Sequence, residues 1–288
     1  MSTILKWAGN KTAIMPELKK HLPAGPRLVE PFAGSCAVMM ATDYPHYLVA
    51  DINPDLINLY RTIAEDCENF ILRAKAVFES FCFAENYYRV REAFNYDHEI
   101  NTFHRAVYFL YLNRHSYRGL CRYNQSGGFN VPFGNYKKPY FPEDEIRAFA
   151  EKAKRATFIC ASFDETLNML QPGDVIYCDP PYDGTFTDYH TAGFTEDEQY
   201  HLASILVRRS SEGYPVIVSN SDTSLIRSLY RSFKRHNITA PRSMGVKAGA
   251  GKSATEIIAV AKQKSNPVWS GFDVAGERDR TVVSEVKE

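Results

Sequence analysis

The chain of 288 residues is 44% hydrophobic, 24% charged and formally neutral, which is ordinary for a globular protein of one large or two modest domains. No apolar run approaches the roughly 20 residues that span a bilayer, and residues 1–9 lack the apolar segment of a signal peptide, so we expect a cytoplasmic protein without a membrane partner. The six cysteines form no C-x-x-C pair, which favours reduced, buried thiols and predicts no bound metal.

The positive charges are unevenly distributed along the chain. Residues 105–142 contain six Lys or Arg and residues 223–255 contain seven, and neither segment contains an acidic residue. Such segments in a neutral protein indicate faces that could bind a polyanion such as nucleic acid. Two solvated basic faces would give the same pattern, so charge alone leaves both interpretations open.

The N-terminal part of the sequence alternates predicted strands and helices. Residues 27–31 (RLVEP) and 47–50 (YLVA) are typical of short strands, and the apolar run 36–40 suits a helix between them. Asn53-Pro54-Asp55 is typical of a helix start, and apolar residues at 56, 59, 63, 70 and 74 follow at near-helical spacing. This β-α-β beginning predicts a parallel sheet.

Residues 56–150 differ in character and predict an insert. Residues 88–94 and 103–112 are predicted to be helical. Residues 116–142 are rich in glycine, proline and aromatic residues, which suits a hairpin with flanking loops rather than a core.

The alternation resumes after residue 150. Thr195 and Glu198 form a predicted capping box that opens a helix through Leu206, and residues 225–233 predict another helix. Short strands are predicted over residues 157–160, 174–178, 215–219 and 256–261. We expect the tail from Gln263 to be loosely ordered. The sequence therefore predicts an α/β domain interrupted by an insert.

Asp179-Pro180-Pro181-Tyr182 directly follows a predicted strand. The two prolines must end the strand, so the chain leaves the sheet at a carboxyl end, where open α/β sheets bind their ligands. The amino group of adenine is a poor nucleophile because its lone pair is delocalised into the ring. Asp179 and the Pro180 carbonyl could accept its two hydrogens, and Tyr182 could stack on a base flipped out of the duplex. A turn that happens to hold these residues is the alternative.

A second motif, Glu30-Pro31-Phe32-Ala33-Gly34, follows the first predicted strand. Its glycine would let a cofactor approach the backbone, and Asp51 follows 17 residues after Gly34, near the position of a ribose-binding acid. No G-x-G-x-x-G is present, which disfavours a dinucleotide. A tight turn with a solvated aspartate remains the alternative for this motif alone.

Three other residues invite structural interpretations. Trp7, between Lys6 and Lys11, is by itself typical of packing near a terminus. His115 and His190 lie in predicted polar loops, where we expect surface contacts rather than metal ligation or catalysis.

These stretches together resemble the Dam-type DNA adenine methyltransferases, which methylate adenine in GATC. The likeness covers residues 4–260 in the family's order. Its stretches are LKWAG (5–9), EPF (30–32), ADIN (50–53), LYLNR (110–114), GLCRYN (119–124), FNVPFG (129–134), YKKPYFP (136–142), YCDPPY (177–182) and SN (219–220). The resemblance implies a Rossmann-like methyltransferase fold with a mainly helical target-recognition domain that carries a β-hairpin. We assign residues 1–55 and 147–270 to catalysis, 56–146 to recognition and 271–288 to a flexible tail.

The resemblance also implies S-adenosylmethionine as cofactor and direct, in-line transfer of its methyl group. Catalysis would rest on Asp179, Pro180, Pro181 and Tyr182. The implied cofactor residues are Trp7, Lys11, Phe32, Ala33, Gly34, Asp51, Ser162, Phe163 and Asp179. Lys11 and Trp7 would also border the target base.

The implied partner is double-stranded DNA, bound by a monomer. Arg122 would read one guanine bidentately, Lys6 would contact the other, and Leu120 and Pro132 would meet the thymine methyl group. Tyr117 would wedge into the base stack, and Lys137 and Lys138 would contact phosphates. Arg118 and Asn130 complete the set of predicted DNA-binding residues, and residues 239–255 could add phosphate contacts.

Three positions depart from the family pattern. The family motif is F-x-G-x-G, and this sequence has Cys36 where the motif has its second glycine. A Cβ at this position could crowd the cofactor. Asn10 replaces a frequent glycine, and Arg118 replaces a frequent asparagine and adds charge beside the hairpin. The alternatives are an inactive sequence-specific DNA-binding protein and an amino-methyltransferase with another target, with a nucleotide-dependent oxidoreductase a distant third.

Overall fold

The computed structural model describes residues 3–81, 83–183, 194–241 and 253–261, and its centre is a seven-stranded sheet with the order β3-β2-β1-β4-β5-β7-β6. The strands are β1 (Arg27–Glu30), β2 (His46–Asp51), β3 (Ala156–Cys160), β4 (Val175–Cys178), β5 (Val216–Ser221), β6 (Lys234–Pro241) and β7 (Ser253–Val260). The mixed α/β architecture predicted from the sequence is confirmed.

The first five strands run parallel, and β7 runs antiparallel between β5 and β6. Leu28 of β1 pairs with Tyr47 of β2 on one side and with Val175 of β4 on the other. Because parallel strands end at the same edge, the residues after β1, β2, β4 and β5 meet at one carboxyl edge, where α/β proteins bind ligands.

The described part of the chain contains ten α-helices, some beside the sheet and some in the insert. They are α1 (Met15–Leu18), α2 (Ala37–Ala41), α3 (Pro54–Glu65), α4 (Cys67–Ser80), α5 (Ala84–Tyr96), α6 (Thr102–His115), α7 (Glu143–Ala153), α8 (Phe163–Leu167), α9 (Glu196–Ser211) and α10 (Ser224–Leu229). None of the helices in these described ranges is long and apolar enough to cross a membrane.

The helical pattern over residues 56–74 corresponds to two helices instead of one. Asn53 caps α3 as predicted, through bonds from the backbone of Asp55 and Leu56. Asp66 then ends α3, and its side chain accepts a hydrogen bond from the Asn69 backbone at the start of α4. An aspartate with non-helical backbone satisfies the free N–H groups of a new helix, which an apolar pattern alone cannot reveal.

The prediction that residues 116–142 lie outside the core is wrong in part. Cys121, Phe129 and Val131 are buried, and Phe129 packs against Phe94 of α5. The hairpin is reduced to two isolated bridges, Ser116 with Phe133 and Tyr123 with Phe129. The segment therefore combines buried aromatic anchors with exposed loops.

The structure also differs from the sequence analysis in one helix and two edge strands. The helix predicted over 225–233 ends at Leu229. The sequence does not predict β6, because its polar sequence KRHNITAP lacks a buried face. β3 was predicted to be buried, but only Phe158 is, because β3 is an edge strand. The tail after residue 261 lies outside the described residues, and so do residues 242–252 of the basic segment 223–255.

Candidate active site and DNA-recognition face

Asp179 follows β4 at the carboxyl edge and forms the centre of a buried polar cluster. Its Oδ2 lies 2.7 Å from the Nζ of Lys11, which is 5% exposed. Its Oδ1 accepts a hydrogen bond of 2.7 Å from the hydroxyl of Ser219, and Ser219 Oγ lies 2.8 Å from the hydroxyl of Tyr177. Burial raises the pKa of Asp179, whereas the Lys11 ammonium and the Ser219 hydrogen bond act to lower it.

Tyr182 is held by groups from two other elements. The Nζ of Lys11 lies 4.8 Å from the centre of its ring, and its hydroxyl donates a 2.9 Å hydrogen bond to Glu256 of β7. Burial raises the pKa of this hydroxyl, so it remains a donor at neutral pH.

The backbone around Tyr182 is fixed as well. The Pro181 carbonyl accepts a 2.8 Å hydrogen bond from the Gln199 side chain of α9, and the Asp183 N–H donates to Asn220 of β5. The D-P-P-Y tetrapeptide is therefore preorganised by α9 and β5.

The turn after β1 brings together three predicted cofactor residues. The Gly34 N–H donates to Asp51 Oδ2 at 3.1 Å, so the ends of β1 and β2 are joined. Gly34 has a φ of +46°, and a Cβ there would come within 2.9 Å of Trp7 Nε1. Glycine is needed both for this backbone conformation and for the approach of the indole. Trp7 therefore borders the turn rather than serving only as terminal packing.

Cys36 has a φ of 56°, in the left-handed region where glycine is favoured. Its side chain is fully buried and interacts with the hydroxyl of Tyr60, which itself donates a hydrogen bond to the Gly34 carbonyl. The Cβ and Sγ of Cys36 thus belong to the core beneath the turn.

The aromatic residues predicted to flank a cofactor lie together. The rings of Phe32 and Phe163 stack with centroids 5.7 Å apart, and Phe194 meets Phe32 edge-on. Ala33 is buried in the same turn. Ser162 caps α8 through a reciprocal capping box with Glu165, a structural role that its sequence context did not suggest.

Residues 116–138, here called the recognition face, carry all of the predicted DNA contacts except Lys6 and the loop 239–255. Arg122 Nε donates a 2.8 Å hydrogen bond to Asn130 Oδ1, which orients the guanidinium group. The backbone of Tyr117 donates to the Pro132 carbonyl at 2.8 Å, so these predicted contacts are also adjacent. Leu120, Arg122 and Asn130 are half-buried, whereas five other predicted contacts are exposed: Tyr117, Arg118, Pro132, Lys137 and Lys138.

Lys6 joins this face although it is distant in sequence. Its backbone bonds with Asn113 of α6, and its Nζ lies 4.1 Å from the centre of the Tyr136 ring. A Cβ at Gly119, which has a φ of +69°, would overlap the Lys6 side chain.

Two predictions about isolated residues are wrong. His115 is completely buried at the end of α6, where its Nδ1 donates to the Tyr111 carbonyl and its ring stacks on Tyr111. The thiols of Cys36, Cys121 and Cys178 are buried as predicted, but Cys67 is half-buried and Cys160 is exposed at the end of β3. His190 and Cys82 lie outside the described residues.

Sequence reasoning missed the residues that support this site through distant contacts. Ser219, Glu256 and Asn113 each bond to a residue at least 40 positions away. Ser219 stands at the end of a predicted strand and in the SN stretch of the family resemblance, and these two signals could have placed it at the carboxyl edge.

Comparison with known proteins identifies the family. Residues 7–244 match the D12 class of N6 adenine-specific DNA methyltransferases. The chain is 74% identical to the Retron Ec67 DNA adenine methylase of Escherichia coli, over 100% of both chains. It is 46% identical to the DNA adenine methylase of Escherichia coli strain K12, over 90% of this chain and 94% of the relative. It is also 46% identical to the DNA adenine methylase of Vibrio cholerae serotype O1, over 88% and 92%. The chain therefore belongs to the D12 class of N6 adenine-specific DNA methyltransferases and is an enzyme that methylates adenine in DNA, with S-adenosylmethionine implied as the methyl donor.

Proposed function

We propose that the enzyme methylates the adenine of GATC in double-stranded DNA, acting as a monomer on a base flipped out of the helix. One observation carries this proposal: a single N-terminal segment, residues 3–11, touches each part of the site. Lys6 lies against the recognition face, Trp7 borders the Gly34 turn, and Lys11 pairs with Asp179. The segment would thus join the catalytic domain (1–55 and 147–270) to the recognition domain (56–146).

The residues at the carboxyl edge fit S-adenosylmethionine. The cofactor would supply an electrophilic methyl group on a sulfonium. Asp51, which ends β2, would face the ribose, while Trp7, Lys11, Phe32, Ala33, Gly34, Ser162 and Phe163 would border the rest of the cofactor. The absence of a Cβ at Gly34 lets the Trp7 indole pack on the turn, so that both residues would border the cofactor together.

Asp179 would act on the amine of the flipped adenine. One amine hydrogen would bond to its carboxylate and the other to the Pro180 carbonyl, which directs the nitrogen lone pair towards the methyl carbon. The nitrogen would then accept the methyl group that the cofactor supplies from its sulfonium, and the amine would release one proton to solvent. Lys11 favours the ionised carboxylate against the effect of burial. Tyr182, fixed by Glu256, would stack on the base.

Asp179→Ala tests this assignment. We expect methyl transfer to fall by on the order of a hundredfold or more, because the amine loses a preorganised acceptor, while duplex binding changes little. Asp43→Asn is the matched control, since Asp43 is an exposed carboxylate that pairs with Arg155 before β2, at the opposite edge. Single-turnover transfer and duplex binding are measured for both. Near-normal transfer by Asp179→Ala contradicts the role.

Arg122→Ala tests base reading. The bond from Nε to Asn130 fixes the guanidinium plane, which leaves Nη1 and Nη2 suited to guanine O6 and N7. We expect discrimination at one guanine to fall by about 1–3 kcal/mol. Lys138→Ala is the control and should weaken binding to all duplexes equally, with a smaller salt dependence. An equal loss on every duplex with Arg122→Ala would make Arg122 a phosphate contact.

A further inference from the structure

The side-chain amide of Asn113 joins two segments that meet at the recognition face. Its Oδ1 accepts a 2.9 Å hydrogen bond from the Lys6 N–H, and its Nδ2 donates to the Lys6 carbonyl at 2.8 Å and to the Gly119 carbonyl at 3.1 Å. Asn113 is completely buried near the end of α6. These three bonds fix the backbone of Lys6 relative to the turn that carries Tyr117 and Arg118.

The side chain of Lys6 is confined from two further directions. Gly119 leaves space that a Cβ would fill, so the Lys6 methylene groups pack directly against the turn. The Tyr136 ring lies beneath the ammonium, with Nζ 4.1 Å from its centroid. A lysine side chain ordinarily has several rotatable bonds and acts as a point charge on a flexible stem. Contacts therefore fix both the backbone and the ammonium group of Lys6.

We propose that Asn113 is a positioning residue for sequence specificity, which sets the place of the Lys6 ammonium relative to the recognition turn. This inference rests on the proposed role of Lys6 as a guanine contact. A phosphate contact needs charge alone, because it carries no sequence information, whereas a base contact needs a defined position. The confinement of Lys6 by Asn113, Gly119 and Tyr136 fits a base contact.

Asn95 provides a matched control within the same part of the chain. Its side-chain amide forms the same two-way bond with the backbone of Phe129, accepting from the N–H at 2.8 Å and donating to the carbonyl at 3.0 Å. Asn95→Ala therefore removes an equivalent pair of hydrogen bonds without touching Lys6.

The experiment measures kcat and KM for methyl transfer on a GATC duplex and on duplexes with each base pair replaced in turn. Lys6→Ala first identifies the pair at which Lys6 discriminates, with an expected loss of roughly tenfold. Asn113→Ala should lose most of the discrimination at that same pair, whereas Asn95→Ala should retain it. The double variant Lys6→Ala with Asn113→Ala should discriminate no worse than Lys6→Ala, because both changes remove one interaction.

A second variant keeps the test decisive if Asn113→Ala fails to fold, which thermal unfolding reports. Asn113→Ser shortens the side chain so that it cannot bond to both Lys6 and Gly119, and it should reduce discrimination at the Lys6 pair alone. Unchanged discrimination in the folded Asn113→Ala protein, or in Asn113→Ser where Asn113→Ala is unfolded, overturns the inference while the role of Lys6 stands. Unchanged discrimination in Lys6→Ala overturns the proposed role of Lys6 itself, and with it the inference.

Discussion

At the scale of single residues, Asp179 lies near a second carboxyl group, that of the buried Glu30. Glu30 ends β1 and is 2% exposed, and its Oε1 has no hydrogen-bond partner within the described part of the chain. The Met39 backbone acts to lower the pKa of this carboxyl group. Burial, and to a lesser extent Asp179, raises the pKa of Glu30 to about 8, whereas Lys11 pairs directly with Asp179. Glu30 is therefore expected to be largely protonated at neutral pH, whereas the Lys11 ammonium favours the ionised form of Asp179 against the effect of burial.

The raised pKa of Glu30 in the folded state predicts how the free energy of unfolding depends on pH. Between pH 4.5 and about 8 the folded state holds a proton on Glu30 that the unfolded state has released. The free energy of unfolding should therefore decrease with rising pH, by at most about 1.4 kcal/mol per pH unit. Glu30→Gln removes this proton exchange, so the stability of the variant relative to the parent should rise between pH 4.5 and 8.

Urea unfolding at several pH values measures the difference between the two proteins. The same substitution at the exposed Glu92 of α5 is the matched control for loss of a carboxylate. If the free energies of unfolding of Glu30→Gln and the parent differ by a constant amount across this pH range, Glu30 does not have a raised pKa.

At the scale of elements, two helices at the carboxyl edge begin with the same device. Ser162 and Thr195 each accept a hydrogen bond from the N–H of a glutamate three residues later, whose side chain bonds back to the cap N–H. The sequence predicts the second box because a clear helical pattern follows it. It does not reveal the first, because α8 has only five residues.

The two capping boxes allow the cofactor role of Ser162 to be separated from its structural role. Ser162→Ala and Thr195→Ala should each lower the free energy of unfolding by about 1 kcal/mol, because each leaves a helix N–H without its cap. Only Ser162→Ala should also raise the KM for S-adenosylmethionine. Chemical unfolding and initial rates at varied cofactor concentration provide the two readouts. An equal KM for both variants would restrict Ser162 to capping.

The regular elements were predictable where the local pattern agrees with the fold. Buried β4 and β5 read as apolar runs, and α9 begins at its capping box. β6 was not predictable, because it pairs with β7 at the sheet edge and its polar residues show no periodicity. The break at Asp66 was equally hidden, since α3 and α4 both bury residues of one apparent pattern.

At the scale of the whole molecule, the N-terminal segment explains why the site could be predicted only in part. The motifs around Gly34, Asp51 and Asp179 each follow a strand, so topology alone places them at one edge. The segment that connects them to the recognition face is fixed by contacts between residues more than 100 positions apart. Arg114, for example, donates hydrogen bonds to the carbonyls of Thr3 and Ile4. No local pattern in the sequence encodes such contacts.

We propose that this segment lets one enzyme read GATC and methylate its adenine. The most direct test incubates the full chain with methyl-labelled S-adenosylmethionine and either a GATC duplex or a GTTC duplex that is otherwise identical, and then locates the label. We expect label on N6 of the GATC adenine and none at the altered site. Equal labelling of adenines outside GATC, or label on another base, would contradict it.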